Sequence, residues 1–238
     1  MTTEMAYIRG YKVRIHVEGG GDPLLLINGL TRPLEAWKHF TDEIPGRTII
    51  TFDAPGTGLS PTPLMPLSMT MLAGLAAGVL DAYGIEQADV LGFSHGGAVA
   101  QQMAISYPSR VRRLILAGTL CGLGAQPGNM AALNAMRTED APFLGTFWRL
   151  MAMATWSSVP FLSRIQQPTL VIAGYNDNIA LPENSWYLAS KIPNSYYTEI
   201  NADHDLQAVG PAVRLAAEVD NFLIAESVEQ RRKRRLAA

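Results

Sequence analysis

Apolar positions recur along this chain in two patterns. Leu24-Leu25-Leu26-Ile27 and Thr48 to Phe52 are short continuous apolar runs, as expected of strands covered on both faces. Ala88 to Phe93, Val111 to Ala117, Pro168 to Ala173 and Tyr196 to Ile200 extend the series. Longer stretches between them suit helices: Pro33 to Thr41, about Thr70 to Tyr83, Gly96 to Tyr107, Pro182 to Lys191, and about Gly210 to Ala225. Gly84 and Pro108 fall just past two of these helices, where chain-breaking residues belong. This alternation predicts an α/β fold, a mostly parallel sheet with helices on both faces. The opening departs from it. Tyr7 to Arg9 and Tyr11 to Val17 flank Gly10 and predict an antiparallel pair, which ends at the turn Gly19-Gly20-Gly21-Asp22-Pro23. The pattern breaks again between Gly118 and Gln167, a stretch dense in Met, Phe and Trp without a strand signal. A short helical cap is predicted there, inserted into one domain spanning residues 1–225. A basic tail, 226–238, follows and contains Arg231-Arg232-Lys233-Arg234-Arg235. A solvated helix end is the plain reading of that tail, and attachment to an anionic surface or polymer granule the sharper one.

Composition narrows the partners. With 238 residues, 48% hydrophobic, the chain is long enough for one sizeable core. A net charge of −2 argues against nucleic acid and favours a small neutral substrate. The start, Met1-Thr2-Thr3-Glu4-Met5, lacks the features of a signal peptide, and no apolar run is long enough for a membrane span, so a cytoplasmic protein is expected. Cys121 is the sole cysteine, which removes internal disulfides and multi-cysteine metal sites and leaves it as a small buried hydrophobe.

The chemistry begins at Gly92-Phe93-Ser94-His95-Gly96, a Gly-x-Ser-x-Gly motif between an apolar strand and an Ala-rich helix. A sharp strand-to-helix turn strains its central residue and needs small neighbours; it lifts the Ser94 hydroxyl above the sheet edge beside free helical N–H groups. A serine hydroxyl needs a base, and the chain holds four histidines. His16 lies in the opening antiparallel pair and His39 in the first helix. His95 enters the helix after Ser94 and points elsewhere. His204, in the loop Asn201-Ala202-Asp203-His204-Asp205 after the last strand, remains. The base needs an orienting carboxylate that falls between nucleophile and base in chain order, and Asp177 in Gly174-Tyr175-Asn176-Asp177 meets that condition. Glu183 is the nearest competitor, but Pro182 sets it in a first helical turn, where the helix dipole already accounts for an acid. Asp203 and Asp205 flank the histidine and diverge from it; Asp53, in the Gly/Pro-rich loop up to Pro61, reads as structural. The oxyanion hole is expected from the backbone N–H groups of His95 and of Leu30, in the loop Asn28-Gly29-Leu30.

On these residues the chain resembles the α/β-hydrolases and, among them, the intracellular medium-chain-length polyhydroxyalkanoate depolymerases. The landmarks are Pro23 to Leu30, Asp53 to Ser60, Gly92 to Pro108, Trp156-Ser157-Ser158 and Gln167 to Gly174, with the cap around Trp148 and Trp156 the more particular match. The resemblance implies hydrolysis of 3-hydroxyacyl esters without a metal or organic cofactor. The stretch from Gly118 to Gly145 is shorter than that family's cap. Phe143, Phe147, Trp148, Met151, Met153 and Trp156 either line an apolar acyl pocket or pack the cap onto the core. Arg32 is either a surface cation or a group favouring an acidic leaving group or a substrate carboxylate. The same triad serves lactonases, carbon–carbon hydrolases and perhydrolases, and a ligand-binding protein retaining the triad is the alternative outside catalysis.

Overall fold

The computed structural model describes residues 2–129 and 142–236, with side chains as far as 225. Residues 130–141 of the expected cap and the side chains of the basic tail lie outside the described residues. Eight strands form one sheet: β1 Thr2–Ile8, β2 Tyr11–Gly19, β3 Asp22–Ile27, β4 Arg47–Phe52, β5 Ala88–Phe93, β6 Val111–Ala117, β7 Thr169–Gly174 and β8 Ser195–Ile200. Their order is β1-β2-β4-β3-β5-β6-β7-β8. β1 pairs antiparallel with β2 and β2 with β4; the remaining neighbours run parallel. This is the mostly parallel sheet the apolar runs predict.

The central strands are apolar because both faces are covered. Leu24, Leu25 and Leu26 have no exposure at all, and each such side chain contributes roughly 1.5–3 kcal/mol on burial. Among the described residues, six helices carry the cover: α1 Lys38–Thr41, α2 Met69–Ala82, α3 His95–Ser106, α4 Phe143–Ala154, α5 Pro182–Lys191 and α6 Val209–Leu236. One core cluster joins α2 and α3 to one sheet face, and a second joins Trp37, Phe40 and α6 to the other. Ser68 caps α2 by accepting from the Met71 N–H at 3.2 Å, as the residue type favours.

Several boundaries differ from the sequence reading. The opening strand starts at Thr2 because its polar residues are held by full register against β2, from Thr2 opposite Val17 to Ile8 opposite Tyr11. Arg9 belongs to the tight turn with Gly10, not to the strand, and both have positive φ, 50° and 87°. The expected helix over Pro33 to Thr41 divides into a 3-10 turn, Leu34–Trp37, followed by α1. α6 runs through the basic segment to Leu236 as one helix. Within the expected cap, the described residues form α4, a 3-10 segment Val159–Arg164 and an isolated bridge between Gly122 and Ser157. α4 lies against the Asp53-to-Pro61 loop: a Cβ on Gly145 would fall 2.4 Å from the Gly56 carbonyl oxygen. Among the described residues, no helix is long and apolar enough to cross a membrane.

Candidate active site

β5 ends at Phe93 and α3 begins at His95, so Ser94 is the only residue between strand and helix. Its backbone has φ 52° and ψ −120°, a conformation that costs a non-glycine residue on the order of 1–3 kcal/mol and persists only where neighbours enforce it. They do so here. The Ser94 N–H donates to the Ala117 carbonyl at 2.9 Å, and its own carbonyl accepts from the Gly97 N–H at 2.9 Å and the Thr119 hydroxyl at 2.6 Å. The turn is too tight for side chains on either flank: a Cβ on Gly92 would sit 2.4 Å from the Gly96 carbonyl oxygen, and one on Gly96 would sit 2.1 Å from that of Ile27.

The turn aims Ser94 at His204. Ser94 Oγ and His204 Nε2 are 2.9 Å apart, and His204 Nδ1 is 2.8 Å from Asp177 Oδ2. The carboxylate partner assigns the tautomer: Nδ1 carries the proton and donates it to Asp177, which leaves the Nε2 lone pair to accept from the serine hydroxyl. Asp177 follows β7 and is fixed from its other side, where Oδ1 accepts the N–H groups of Ile179 at 2.9 Å and Ala180 at 2.8 Å. Asp177 and His204 are each only 3% exposed, so water does not compete for the hydrogen bond between them. Phe93 backs the imidazole, with ring centroids 5.2 Å apart.

The other candidates have different partners. His16 Nδ1 is 2.6 Å from the Thr3 hydroxyl, and its Nε2 lies 3.4 Å from Glu18. His39 is exposed. Glu183 stands in the first turn of α5. Asp203 accepts the Asp205 N–H, while Asp205 pairs with Arg32 at 2.6 Å. Asp53 is buried, accepts the N–H groups of Leu34 and Leu59, and binds Arg14 at 3.3 Å, which organises the Gly/Pro loop. Burial raises its pKa above the ordinary carboxylate range.

His95 shows what the cap does behind the elbow. Its imidazole is buried, and its pKa is lowered to about 3, first by burial and then by the nearby Arg149 cation of α4. Arg149 is itself only 4% exposed. Its Nε and one Nη have no hydrogen-bond partner, and burial lowers its pKa to about 9 against the raising influence of Asp53. Cys121 is 1% exposed, and burial raises its thiol pKa.

Ser94 opens into a cavity of about 280 Å³ that Leu30 and His95 also line. Among the described residues, no backbone carbonyl takes the N–H of Leu30 or His95. The loop carrying Leu30 comes close to Ser94, since a Cβ on Gly29 would lie 3.5 Å from that of Ser94. The cavity wall is apolar: Leu120, Leu123, Leu150, Met153 and Ile179 dominate, with Thr119 and Gln126 as polar exceptions. None of the described wall residues is Asp, Glu, Lys or Arg.

The face of α4 that meets the cavity differs from the expectation. Leu150, Met153 and Ala154 line it, whereas Phe147, Trp148 and Met151 do not. Successive helical residues turn about 100°, and the phase is set by Gly145, Arg149 and Ala152, which are buried. Phe143, Phe147 and Met151 consequently point outward, with 69%, 41% and 43% exposure. The rings of Phe143 and Phe147 stack at 6.3 Å. Trp156 acts as a strut from the cap to α3, donating from Nε1 to Gln102 at 2.7 Å. Arg32 lies outside the cavity wall, committed to Asp205. The sequence reading missed Leu120, Leu123, Gln126, Leu150 and Ile179; only the last carried a usable signal, its place two residues after Asp177.

Known proteins share this construction. A family model described as the alpha/beta hydrolase fold matches residues 22–142 and 140–211. A poly(3-hydroxyalkanoate) depolymerase from Ectopseudomonas oleovorans is 33% identical, over 76% of this chain and 77% of its own. A 2-hydroxymuconate semialdehyde hydrolase from Pseudomonas putida is 38% identical, over 90% of this chain and 91% of its own. The solved enol-lactonase from Burkholderia xenovorans LB400 superposes with a TM-score of 0.84, covering 93% of this chain and all (100%) of that one at 21% identity, a likeness of fold alone. With the sheet order, the strained serine turn and a family match across most of its length, this chain belongs to the α/β-hydrolase fold family.

Proposed function

We propose that this chain hydrolyses carboxylic esters through Ser94, with His204 as base and Asp177 as the acid that orients it. The observation that carries this reading is the 2.9 Å contact of Ser94 Oγ with His204 Nε2 at the mouth of an apolar cavity. Ser94 attacks the ester carbonyl as His204 takes its proton. The oxyanion of the tetrahedral intermediate accepts hydrogen bonds from the Leu30 and His95 N–H groups, each contributing about 3–4 kcal/mol to transition-state stabilisation. Asp177 stabilises the imidazolium through Nδ1. His204 then protonates the departing alcohol, leaving an acyl-Ser94, and the same histidine activates the water that releases the acid.

The substrate is a neutral 3-hydroxyacyl or medium-chain acyl ester. An apolar wall free of described charged side chains supports a neutral acyl chain, and the relative named as a poly(3-hydroxyalkanoate) depolymerase supports the same class. A cavity of about 280 Å³ lies just below the usual range for ligand sites, about 300–1,000 Å³, so it accommodates one acyl unit rather than a coil of polymer. The second reading is carbon–carbon bond hydrolysis, favoured by the relative named for 2-hydroxymuconate semialdehyde. That substrate is, by its name, a carboxylate, for which the cavity wall offers no described cation.

Steady-state rates on nitrophenyl esters from acetyl to dodecanoyl, on poly(3-hydroxyalkanoate) and on a ring-cleavage semialdehyde test the reading, with Ser94→Ala as control. Ester activity that peaks at intermediate chain length and disappears in Ser94→Ala is the expected result. Faster turnover of the semialdehyde supports the carbon–carbon reading. Slow turnover with persistent acylation marks a binding protein that retains the triad.

A further inference from the structure

The two loops that supply the base and an oxyanion donor are not neighbours in the sheet. Leu30 lies in the loop after β3 and His204 in the loop after β8, and β5, β6 and β7 stand between those strands. No ladder hydrogen bond can set the distance between the loops. Two side-chain contacts do join them. Arg32 Nη2 donates to Asp205 Oδ2 at 2.6 Å, and Gln207 Nε2 donates to Asn28 Oδ1 at 2.7 Å. Asn28 and Arg32 bracket Leu30, and Asp205 and Gln207 lie one and three residues after His204. Asn28 also closes its own loop, donating from Nδ2 to the Pro33 carbonyl at 2.7 Å.

We infer that Arg32–Asp205 and Asn28–Gln207 form a two-rung clasp that positions the Leu30 oxyanion donor relative to His204. The inference rests on the proposed roles of Ser94, His204 and Leu30. Asn28 is 9% exposed and Gln207 3%, so their rung is shielded from water and holds the loops at short range. The Arg32–Asp205 rung is 20% and 29% exposed in its side chains, so it adds a charge-assisted tie at the outer edge. The four residues are positioning residues. They matter because the oxyanion forms only in the transition state, where a displacement of about 1 Å can cost on the order of a hundredfold in rate. Substrate binding in the apolar cavity does not depend on them. The clasp therefore acts on kcat and leaves KM alone.

The test compares wild type with Arg32→Gln, Asp205→Asn, the double variant, Arg32→Lys and Gln207→Leu on one nitrophenyl ester. Active sites are counted by fluorophosphonate labelling, so that misfolded protein does not enter kcat. The expected result is a loss in kcat of about tenfold or more in each neutralising single variant with KM within about twofold. The double Arg32→Gln/Asp205→Asn variant should be no worse than either single one, and Arg32→Lys should recover most of the rate. Unchanged kcat per labelled site in both Arg32→Gln and Gln207→Leu overturns the clasp while leaving the functional reading intact. A wild type without Ser94-dependent ester turnover overturns both.

Discussion

His95 makes the fold sensitive to acid in a way that can be calculated. In an unfolded chain its imidazole titrates near about 6.5, whereas in the folded protein its pKa is lowered to about 3 by burial and by Arg149. Between those values the unfolded state binds a proton that the folded state refuses. Stability therefore rises with pH across this window, and His95 withdraws stability as pH falls below about 6.5. Each pH unit within the window is equivalent to about 1.4 kcal/mol. At about pH 5 the cost is about 2 kcal/mol relative to about pH 8, with most of the window still below. That figure depends little on where the folded value lies, because the imidazole is neutral in the folded protein at both pH values. Urea unfolding of the wild type and of His95→Gln at the two pH values isolates this contribution, since other titrating groups are common to both proteins. The wild type should lose about 2 kcal/mol more than the variant between about pH 8 and about pH 5. Equal losses in the two proteins would refute the reasoning and indicate that His95 is protonated or solvated in the folded state.

Other consequences follow from the cap. Met153→Trp fills cavity space beside Leu150, and should move the preferred ester towards shorter acyl chains while keeping acetyl ester kcat within a few-fold, about one order of magnitude at most; an unchanged chain-length profile places the acyl group elsewhere. Arg149→Met replaces a buried guanidinium lacking partners at two of its nitrogens, and should be neutral or stabilising by about 1–4 kcal/mol in urea unfolding. A loss of about 3 kcal/mol or more would instead point to a broken buried charge pair.

The legible parts of this protein were those whose signal is local. Leu24 to Ile27 are apolar because that strand is covered on both faces, and no distant residue is needed to say so. The serine turn was similarly readable, because Gly92 and Gly96 answer to the turn's own geometry. Chain order pointed to Asp177 and His204, and the fold brings the two within hydrogen-bond distance of one another. What the sequence hid depends on remote contacts. The five leading residues of β1, Thr2 to Ala6, have no apolar alternation and form a strand only because β2 pairs with them. The phase of α4 is set partly by Gly145 against Gly56, so the bulky Phe147 and Met151 suggested the wrong face. The commitment of Arg32 to Asp205 spans 173 positions and has no counterpart in local pattern. The basic run after residue 225 was legible as a helix end, since Arg and Lys are good helix formers, and the backbone of α6 continues through it.

The most direct test of the central claim is to find the acyl group. The protein is mixed with a nitrophenyl ester, quenched in acid during turnover, digested and examined by peptide mass spectrometry. The account predicts an added acyl mass on the peptide containing Ser94, localised to that serine and absent in Ser94→Ala. An acyl group on another residue, or ester hydrolysis that persists in Ser94→Ala, would contradict it.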